Sequence, residues 1–202
     1  HSSRSLQWYR NHFVPGRING VITPAYDILP EAKVAEIHTL TPQAKLLFSM
    51  RHPIERAWSF VQMSIEKKFK TSLENINAGE PTGEVLAFIR QELFHSTCLA
   101  RSNYAETIRR WRRQFSEDAL MWFRYERISE DPRGLLVDVC RHLGADPFWG
   151  ERLESDMIER TVFLSKKLSF PPKLRAEFAD RCAPYIDDLE QLLGERFDGW
   201  RS

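Results

Sequence analysis

An arginine and a serine eight residues apart are the first candidates for chemistry in this sequence. Arg51 directly follows the apolar run KLLFSM, and Ser59 lies in the segment RHPIERAWSF that comes next. An arginine side chain can bind a phosphate group through two parallel N–H bonds, and a serine hydroxyl adds a neutral hydrogen bond. Pro53 suits the first position of a helix whose early backbone N–H groups would be free for an anion. The spacing is consistent with an anion site, but also with an arginine at a strand end and a serine packed on a helix.

The anion site needs a strand that ends next to Arg51 and a helix that begins near Pro53. The length and continuous apolarity of residues 44–50 (AKLLFSM) predict a buried strand there. Residues 119–125 (ALMWFRY) predict a second strand, and Gly20–Ile22 predicts a brief, weaker one. Apolar residues at helical spacing predict the helix after Pro53: Ile54, Ala57, Trp58, Val61 and Ile65.

Helical spacing of apolar residues also predicts helices along most of the remaining chain. They cover residues 5–13, 30–39, 83–94, 101–115 and 131–143, and two closing helices within 171–194 that are separated at Pro184. Residues 71–82 are polar and contain Gly and Pro, which is typical of a surface loop. Helices that alternate with short buried strands predict an α/β fold, a three-layer parallel sheet flanked by helices. Two clear strands are few for so many helices, which indicates that a central strand is missing.

The size and composition restrict the class of protein. The 202 residues suit a single domain, and the formal net charge of +1 excludes a wholly basic surface. Cys98, Cys140 and Cys182 are widely spaced and form no CxxC pair, so neither a disulfide framework nor a zinc site is expected. This cysteine usage favours a reducing compartment, and we expect a cytoplasmic protein. No apolar run reaches the roughly 20 residues that cross a bilayer, so no membrane span is expected.

Four arginines on one predicted helix form the most basic cluster of the sequence. Arg109, Arg110, Arg112 and Arg113 surround Trp111, which would be the inward-facing residue. This pattern favours a solvated helix face over a nucleic-acid interface, so no nucleic-acid partner is expected.

The segment around the anion site resembles the 3′-phosphate-binding motif of sulfotransferases that use 3′-phosphoadenosine 5′-phosphosulfate (PAPS). That motif has an apolar strand, then Arg-[Asp/Asn]-Pro, a second Arg, and a Ser eight residues after the first Arg. Arg51 and Ser59 match it. Further segments resemble the family's other blocks, in the same order, along nearly the whole chain. They are QWYRNHF, ITPAYDILPEAKVAEIHTLTPQAK, LARSNYAETIRRWRRQF, MWFRYERISEDPRGLLVDVCRHLG and SKKLSFPPKLRAEFADRCAPYIDDLEQLLGERFDGW. The similarity is greatest to the branch that contains heparan-type and many bacterial sulfotransferases.

The resemblance implies a P-loop-like sulfotransferase fold and indicates which residues bind PAPS. Arg51 and Ser59 would bind its 3′-phosphate group. Lys166 and Lys167 correspond to the family's Lys-Gly-Arg loop over PAPS, although the glycine of that loop is absent here. His52 takes a position where Asp is more usual, which leaves both phosphate contacts in place.

The resemblance also indicates where an acceptor would bind. Tyr26, Arg101 and Tyr104 would lie near the substrate cleft, although a tyrosine that packs the turn is an equal interpretation of Tyr26. In the saccharide-specific branch a lysine precedes the Thr-Pro pair, whereas this chain has Val21 and Ile22, so a sulfated glycan is a less expected acceptor. Small molecules, lipids and glycans all stay open as acceptor classes, and the oligomeric state is open as well.

Three family features have no counterpart in the sequence. They are the first strand, the Gly-rich, Lys-containing loop for the 5′-phosphosulfate, and the catalytic Glu. All three would precede Trp8, so we expect the catalytic base to lie upstream of His1 and the single domain 1–202 to be N-terminally incomplete. The same gap would explain the missing central strand.

The activity that the resemblance implies is sulfo transfer. The sulfo group would move from PAPS to an acceptor hydroxyl, or less often an amine, and 3′,5′-adenosine diphosphate (PAP) would be released. No metal ion is expected, because cations and backbone N–H groups can stabilise the charge. The main alternative is a non-catalytic nucleotide-binding or interaction module that retains only the 3′-phosphate half of the site. A kinase of P-loop architecture is a third interpretation, but the sequence has no Mg²⁺-binding set of residues for it.

Overall fold

The structure, a computed structural model, describes residues 6–70, 83–148 and 168–201. The strands are β1 (Leu46–Met50) and β2 (Leu120–Arg124). The helices are α1 (Leu6–Arg10), α2 (Glu31–Leu40), α3 (Pro53–Phe69), α4 (Gly83–Leu93), α5 (Ser96–Ser102), α6 (Tyr104–Arg112), α7 (Arg127–Glu130), α8 (Pro132–Leu143) and α9 (Pro172–Leu193). Short 3₁₀ turns lie at Pro24–Ile28, Glu117–Ala119 and Asp198–Trp200. Within the described ranges, no helix is both long and apolar enough to cross a bilayer.

The two strands form a parallel pair, as the sequence predicts. Their register runs from Leu46 opposite Leu120 to Met50 opposite Arg124. Because parallel strands end at the same edge of a sheet, the residues that follow β1 and β2 lie beside each other, where α/β folds usually bind ligands. The prediction of a weak strand at Gly20–Ile22 is wrong. These residues form no strand, and in the described part of the chain the sheet consists of β1 and β2.

Helix α3 supplies much of the larger hydrophobic core. The whole predicted stripe is buried: Ile54, Ala57, Trp58, Val61 and Ile65. It packs against apolar residues of α4 and α9, and each large side chain removed from water contributes about 1.5–3 kcal/mol. The helix ends at Phe69, and its C-cap residue Lys70 has a left-handed backbone conformation with φ of 50°. The packing of α3 therefore fixes the element that begins immediately after Arg51.

The predicted helix over residues 101–115 is divided into two. Asn103 lies between α5 and α6 with φ of −91° and ψ of 75°, outside the helical region. Its side-chain oxygen accepts a hydrogen bond from the backbone N–H of Glu106 at 3.2 Å. Asn103 therefore begins a new helix at Tyr104 by N-capping, which overrides the continuous helical pattern of the sequence.

The two closing helices predicted on either side of Pro184 are instead the single helix α9. Proline lacks the N–H needed inside a helix and normally kinks or ends it. Here buried residues on both sides of Pro184 belong to the packed face of one helix: Leu174, Phe178, Cys182, Ile186 and Leu189. Burial of this continuous face offsets the missing hydrogen bond, so tertiary packing overrides the local signal.

A second hydrophobic core lies under the end of β1 and contains residues from distant parts of the chain. Met50, Tyr104, Ile186, Phe197 and Trp200 are all buried in it. The ring of Trp200 lies 5.9 Å from the ring of Tyr104 and 6.3 Å from that of His52, centroid to centroid. The C-terminal residues therefore support the segment that carries Arg51.

Candidate functional site

The turn between β1 and α3 is held by hydrogen bonds to successive carbonyl groups. The Met50 carbonyl accepts the backbone N–H of Tyr125 at 2.7 Å, which continues the sheet ladder by one residue. The Arg51 carbonyl accepts the hydroxyl of Tyr104, also at 2.7 Å. The His52 carbonyl accepts the first backbone bond of α3. The backbone that carries Arg51 is thus fixed before any ligand binds.

His52 occupies the motif position where the family usually has Asp, and it takes over the capping role of that residue. It is the N-cap residue of α3, and its Nδ1 atom accepts the backbone N–H of Ile54 at 3.3 Å. An aspartate at an N-cap performs the same role through a carboxylate oxygen. Since Pro53 has no N–H, this bond satisfies the first available donor of the helix.

The guanidinium group of Arg51 has a different environment from its counterpart on β2. It lies over the ring of Tyr125, 5.3 Å from the ring centroid, and the residue is partly buried. In the described ranges the Arg51 guanidinium has neither an ion pair nor a hydrogen bond. Arg124, at the end of β2, instead pairs with Glu195 and donates to the carbonyl of Arg196 at 2.8 Å. Arg51 therefore has a positive charge and N–H donors available for an anion.

Ser59 lies on α3 and is partly buried. Residues four apart share one face of a helix, so Ser59 lies in the row that leads through Glu55 toward Arg51. Among the described residues, its hydroxyl has no hydrogen-bond partner. Both predicted phosphate ligands thus carry polar groups that the described fold does not use. Their contact with a phosphate stays a prediction.

Tyr26 and Arg101 are brought together at the 3₁₀ turn Pro24–Ile28. Arg101 donates to the carbonyl of Pro24 at 2.8 Å. The carbonyl of Tyr26 accepts the indole N–H of Trp111 at 3.3 Å, and the Tyr26 ring packs against the third core cluster. These contacts support the packing interpretation of Tyr26, and an acceptor contact of either residue stays a prediction.

Asp27 is a residue of this region that the sequence analysis missed. Its Oδ1 atom is buried and accepts no hydrogen bond within the described residues, and Arg101 Nη1 lies 3.7 Å away. Burial raises the pKa of the Asp27 carboxyl above its ordinary value, and the positive charges of Arg101 and Arg56 oppose this shift. A lone acid in the apolar run AYDIL is the signal that could have identified it.

Arg56, the second arginine of the motif, has a structural partner set. Its Nη2 atom donates to the Cys98 carbonyl and to the Ser102 hydroxyl, both at 2.9 Å. These bonds join α3 to α5, while the charge of Arg56 acts on Asp27. Arg56 therefore holds the helix that begins at the anion site against α5.

Lys166 and Lys167 lie outside the described residues, and their assignment stays a prediction. The next residue in the chain, Leu168, is bound to α3. Its backbone N–H donates to Gln62 Oε1 at 2.7 Å, and its carbonyl accepts the indole N–H of Trp58 at 2.9 Å. The residue that follows the two lysines is thus attached to the helix that carries Ser59.

The four arginines of α6 and its C-cap are engaged within the protein. Arg109 makes two bonds of 2.6 Å to the carboxylate of Asp188, which lower the pKa of that carboxyl. The remaining pairs are Arg110 with the Leu29 carbonyl, Arg112 with Glu117, and Arg113 with Glu31. Trp111 is buried as predicted. These contacts explain the cluster structurally, and the expected absence of a nucleic-acid partner stays a prediction.

Known proteins share both the sequence pattern and the fold of this chain. A family model described as "Sulfotransferase domain" matches residues 29–180. A human relative, "Heparan sulfate glucosamine 3-O-sulfotransferase 6", is 29% identical over 148 residues, which cover 70% of this chain and 40% of the relative. The mouse protein of the same name has the same identity and coverage. The chain thus spans about two fifths of the length of these curated relatives.

A solved structure extends the likeness to the fold. The crystal structure of a sulfotransferase from Alicyclobacillus acidocaldarius superposes with a TM-score of 0.58 at 22% identity, covering 85% of this chain and 63% of that one. The predicted α/β fold, a parallel sheet with helices around it, is therefore confirmed as the P-loop-like sulfotransferase fold. Because the family model covers most of the sequence, the chain belongs to the sulfotransferase domain family.

Proposed function

We propose that this chain contributes the 3′-phosphate-binding part of an enzyme that transfers a sulfo group from PAPS to an acceptor hydroxyl or amine. One observation carries the proposal: Arg51 presents a guanidinium without an acidic partner in the described residues, at the shared carboxyl edge of β1 and β2. Membership of the sulfotransferase domain family supports sulfo transfer over other uses of such a site.

The residues of this site would act by binding and orientation. Arg51 would form two charge-assisted N–H bonds to the 3′-phosphate, and Ser59 would add one neutral bond. Neither would touch the reacting sulfur. Binding energy from a remote phosphate can hold the sulfo group in line with the acceptor oxygen, which raises the rate of an in-line displacement. The acceptor proton would pass to a general base.

The acceptor is proposed only as a class: a small molecule, a lipid or a glycan with a free hydroxyl or amine. The human and mouse relatives are named for glucosamine of heparan sulfate. In this chain the residue before Thr23 is Ile22, which is fully exposed and uncharged. A sulfated glycan would gain no ion pair from this position, so we favour a less anionic acceptor.

Nucleotide binding by the full-length protein tests the site. We expect PAP to bind more tightly than adenosine 5′-monophosphate (AMP), and Arg51→Ala to remove most of that difference. The expected loss is about 1.5–3 kcal/mol, because a hydrogen bond to a charged group contributes this much. Arg141→Ala, at an exposed arginine paired with Asp138, is the matched control and should leave the difference unchanged.

Two outcomes would contradict the proposal in different ways. Equal binding of PAP and AMP by the wild-type protein would show that the protein has no site for the 3′-phosphate. Selective PAP binding without sulfo transfer to any acceptor in a panel of hydroxylated small molecules, lipids and glycans would favour the non-catalytic nucleotide-binding module.

A further inference from the structure

The hydroxyl of Tyr104 donates to the backbone carbonyl of the predicted phosphate ligand Arg51 at 2.7 Å. We propose that Tyr104 is a positioning residue that fixes Arg51 and thereby sets the preference for a 3′-phosphate. This inference rests on the proposed function. It gives Tyr104 a role that differs from the expected contact with an acceptor.

The side chain of Tyr104 is itself held firmly. The residue is 4% exposed, and its ring makes edge contacts with Phe48 of β1 and with Trp200, at centroid distances of 5.7 and 5.9 Å. Burial raises the pKa of the Tyr104 hydroxyl far above its ordinary value. The hydroxyl therefore keeps its proton at physiological pH and remains a donor.

The helix break at Asn103 places this hydroxyl. Tyr104 is the first residue of α6, immediately after the Asn103 cap, and α6 packs against α9. A continuous helix over residues 101–115 would give Tyr104 a different direction. The helix break, which the sequence did not predict, therefore helps to direct the Tyr104 hydroxyl toward the Arg51 carbonyl.

The hydrogen bond restricts the backbone next to the phosphate ligand. The carbonyl before Arg51 is held by Tyr125 and the carbonyl of Arg51 by Tyr104, so the peptide units on both sides of its Cα are fixed. With both fixed, the direction of the Arg51 side chain depends on its own rotamers and on the ring of Tyr125. Loss of the Tyr104 bond would leave a partly buried carbonyl without this donor and permit rotation of the peptide unit.

The test is Tyr104→Phe in the full-length protein, with dissociation constants for PAP and AMP measured by calorimetry. We expect the ratio of the two constants to fall about three- to tenfold, as for loss of one neutral hydrogen bond, with AMP binding nearly unchanged. In an Arg51→Ala background the same substitution should not change the ratio further. Tyr104→4-fluorophenylalanine fills the space of the hydroxyl without donating, and it replaces the Phe variant if that variant does not fold.

Thr107→Val is the matched control, because Thr107 lies on the same helix, is buried, and donates to the Asp27 carbonyl at 2.9 Å. It should lower stability without changing the ratio. An unchanged ratio in the Tyr104 variants, or an equal fall in Thr107→Val, would overturn the positioning role while leaving the proposed function intact. A wild-type protein that does not distinguish PAP from AMP would overturn both.

Discussion

The guanidinium of Arg51 lies over the ring of Tyr125, 5.3 Å from its centroid, where the two parallel strands end together. The two residues are far apart in sequence but adjacent in space because each directly follows a strand of the same pair. The ring presents a partial negative face to the cation without neutralising it. An arginine oriented in this way keeps its full charge for an anion.

Replacement of Tyr125 tests whether the ring orients Arg51. Tyr125→Phe retains the aromatic face and should bind PAP as the wild type does, whereas Tyr125→Leu should bind it about two- to fivefold more weakly. This range corresponds to about 0.5–1 kcal/mol for an exposed cation–π contact. Calorimetric titration of the three proteins with PAP measures the effect. Equal loss in the Phe and Leu variants would assign the effect to the hydroxyl and contradict this prediction.

Substitution of His52 separates helix capping from phosphate binding. His52→Ala should lower the free energy of unfolding by about 0.5–2 kcal/mol, because the N–H of Ile54 loses its acceptor. His52→Asp supplies a carboxylate acceptor at the same place and should match or exceed the stability of the wild type. Urea denaturation measures both effects. A tenfold loss of PAP affinity in the Asp variant would show that the imidazole itself contributes to binding.

Asp27 predicts an unusual pH dependence of stability. Burial raises the pKa of its carboxyl in the folded state, with the charges of Arg101 and Arg56 acting in the opposite direction. A raised pKa means that the folded state holds the proton more tightly, so this contribution to stability is present at low pH. It is lost as the pH rises through the folded-state pKa. Relative to the wild type, Asp27→Asn should therefore gain stability as the pH rises above the ordinary carboxyl pKa of 3.8.

Asp188 provides the control of opposite sign for this experiment. The hydrogen bonds from Arg109 lower the pKa of the Asp188 carboxyl, so its contribution is present at neutral pH and lost on acidification. As the pH rises toward the ordinary carboxyl pKa of 3.8, Asp188→Asn should thus lose stability relative to the wild type, and the difference should stay constant at higher pH. Free energies of unfolding from denaturant titrations at several pH values give both trends. Parallel curves for Asp27→Asn and the wild type would exclude the raised pKa.

Local sequence patterns determined the two strands, the buried face of α3 and the position of the candidate site. A continuous apolar run marks a buried strand, and helical spacing marks the face of α3, because each depends on residues that are neighbours in the chain. The position of Arg51 could be predicted in the same way, because it directly follows a predicted strand and the ends of parallel strands lie at one edge of the sheet. The order of family-like segments along the chain identified the family.

Only the tertiary structure decided which distant groups meet at that place. The bond from Tyr104 to the Arg51 carbonyl joins residues that are 53 positions apart, and no local spacing encodes it. Packing of its buried face also keeps α9 continuous across Pro184. The Asn103 cap divides a helix that the sequence pattern predicts as continuous. These outcomes depend on burial and on side-chain partners supplied by other elements. The sequence by itself thus placed a cation at the end of a strand, and the fold determined what holds that cation in position.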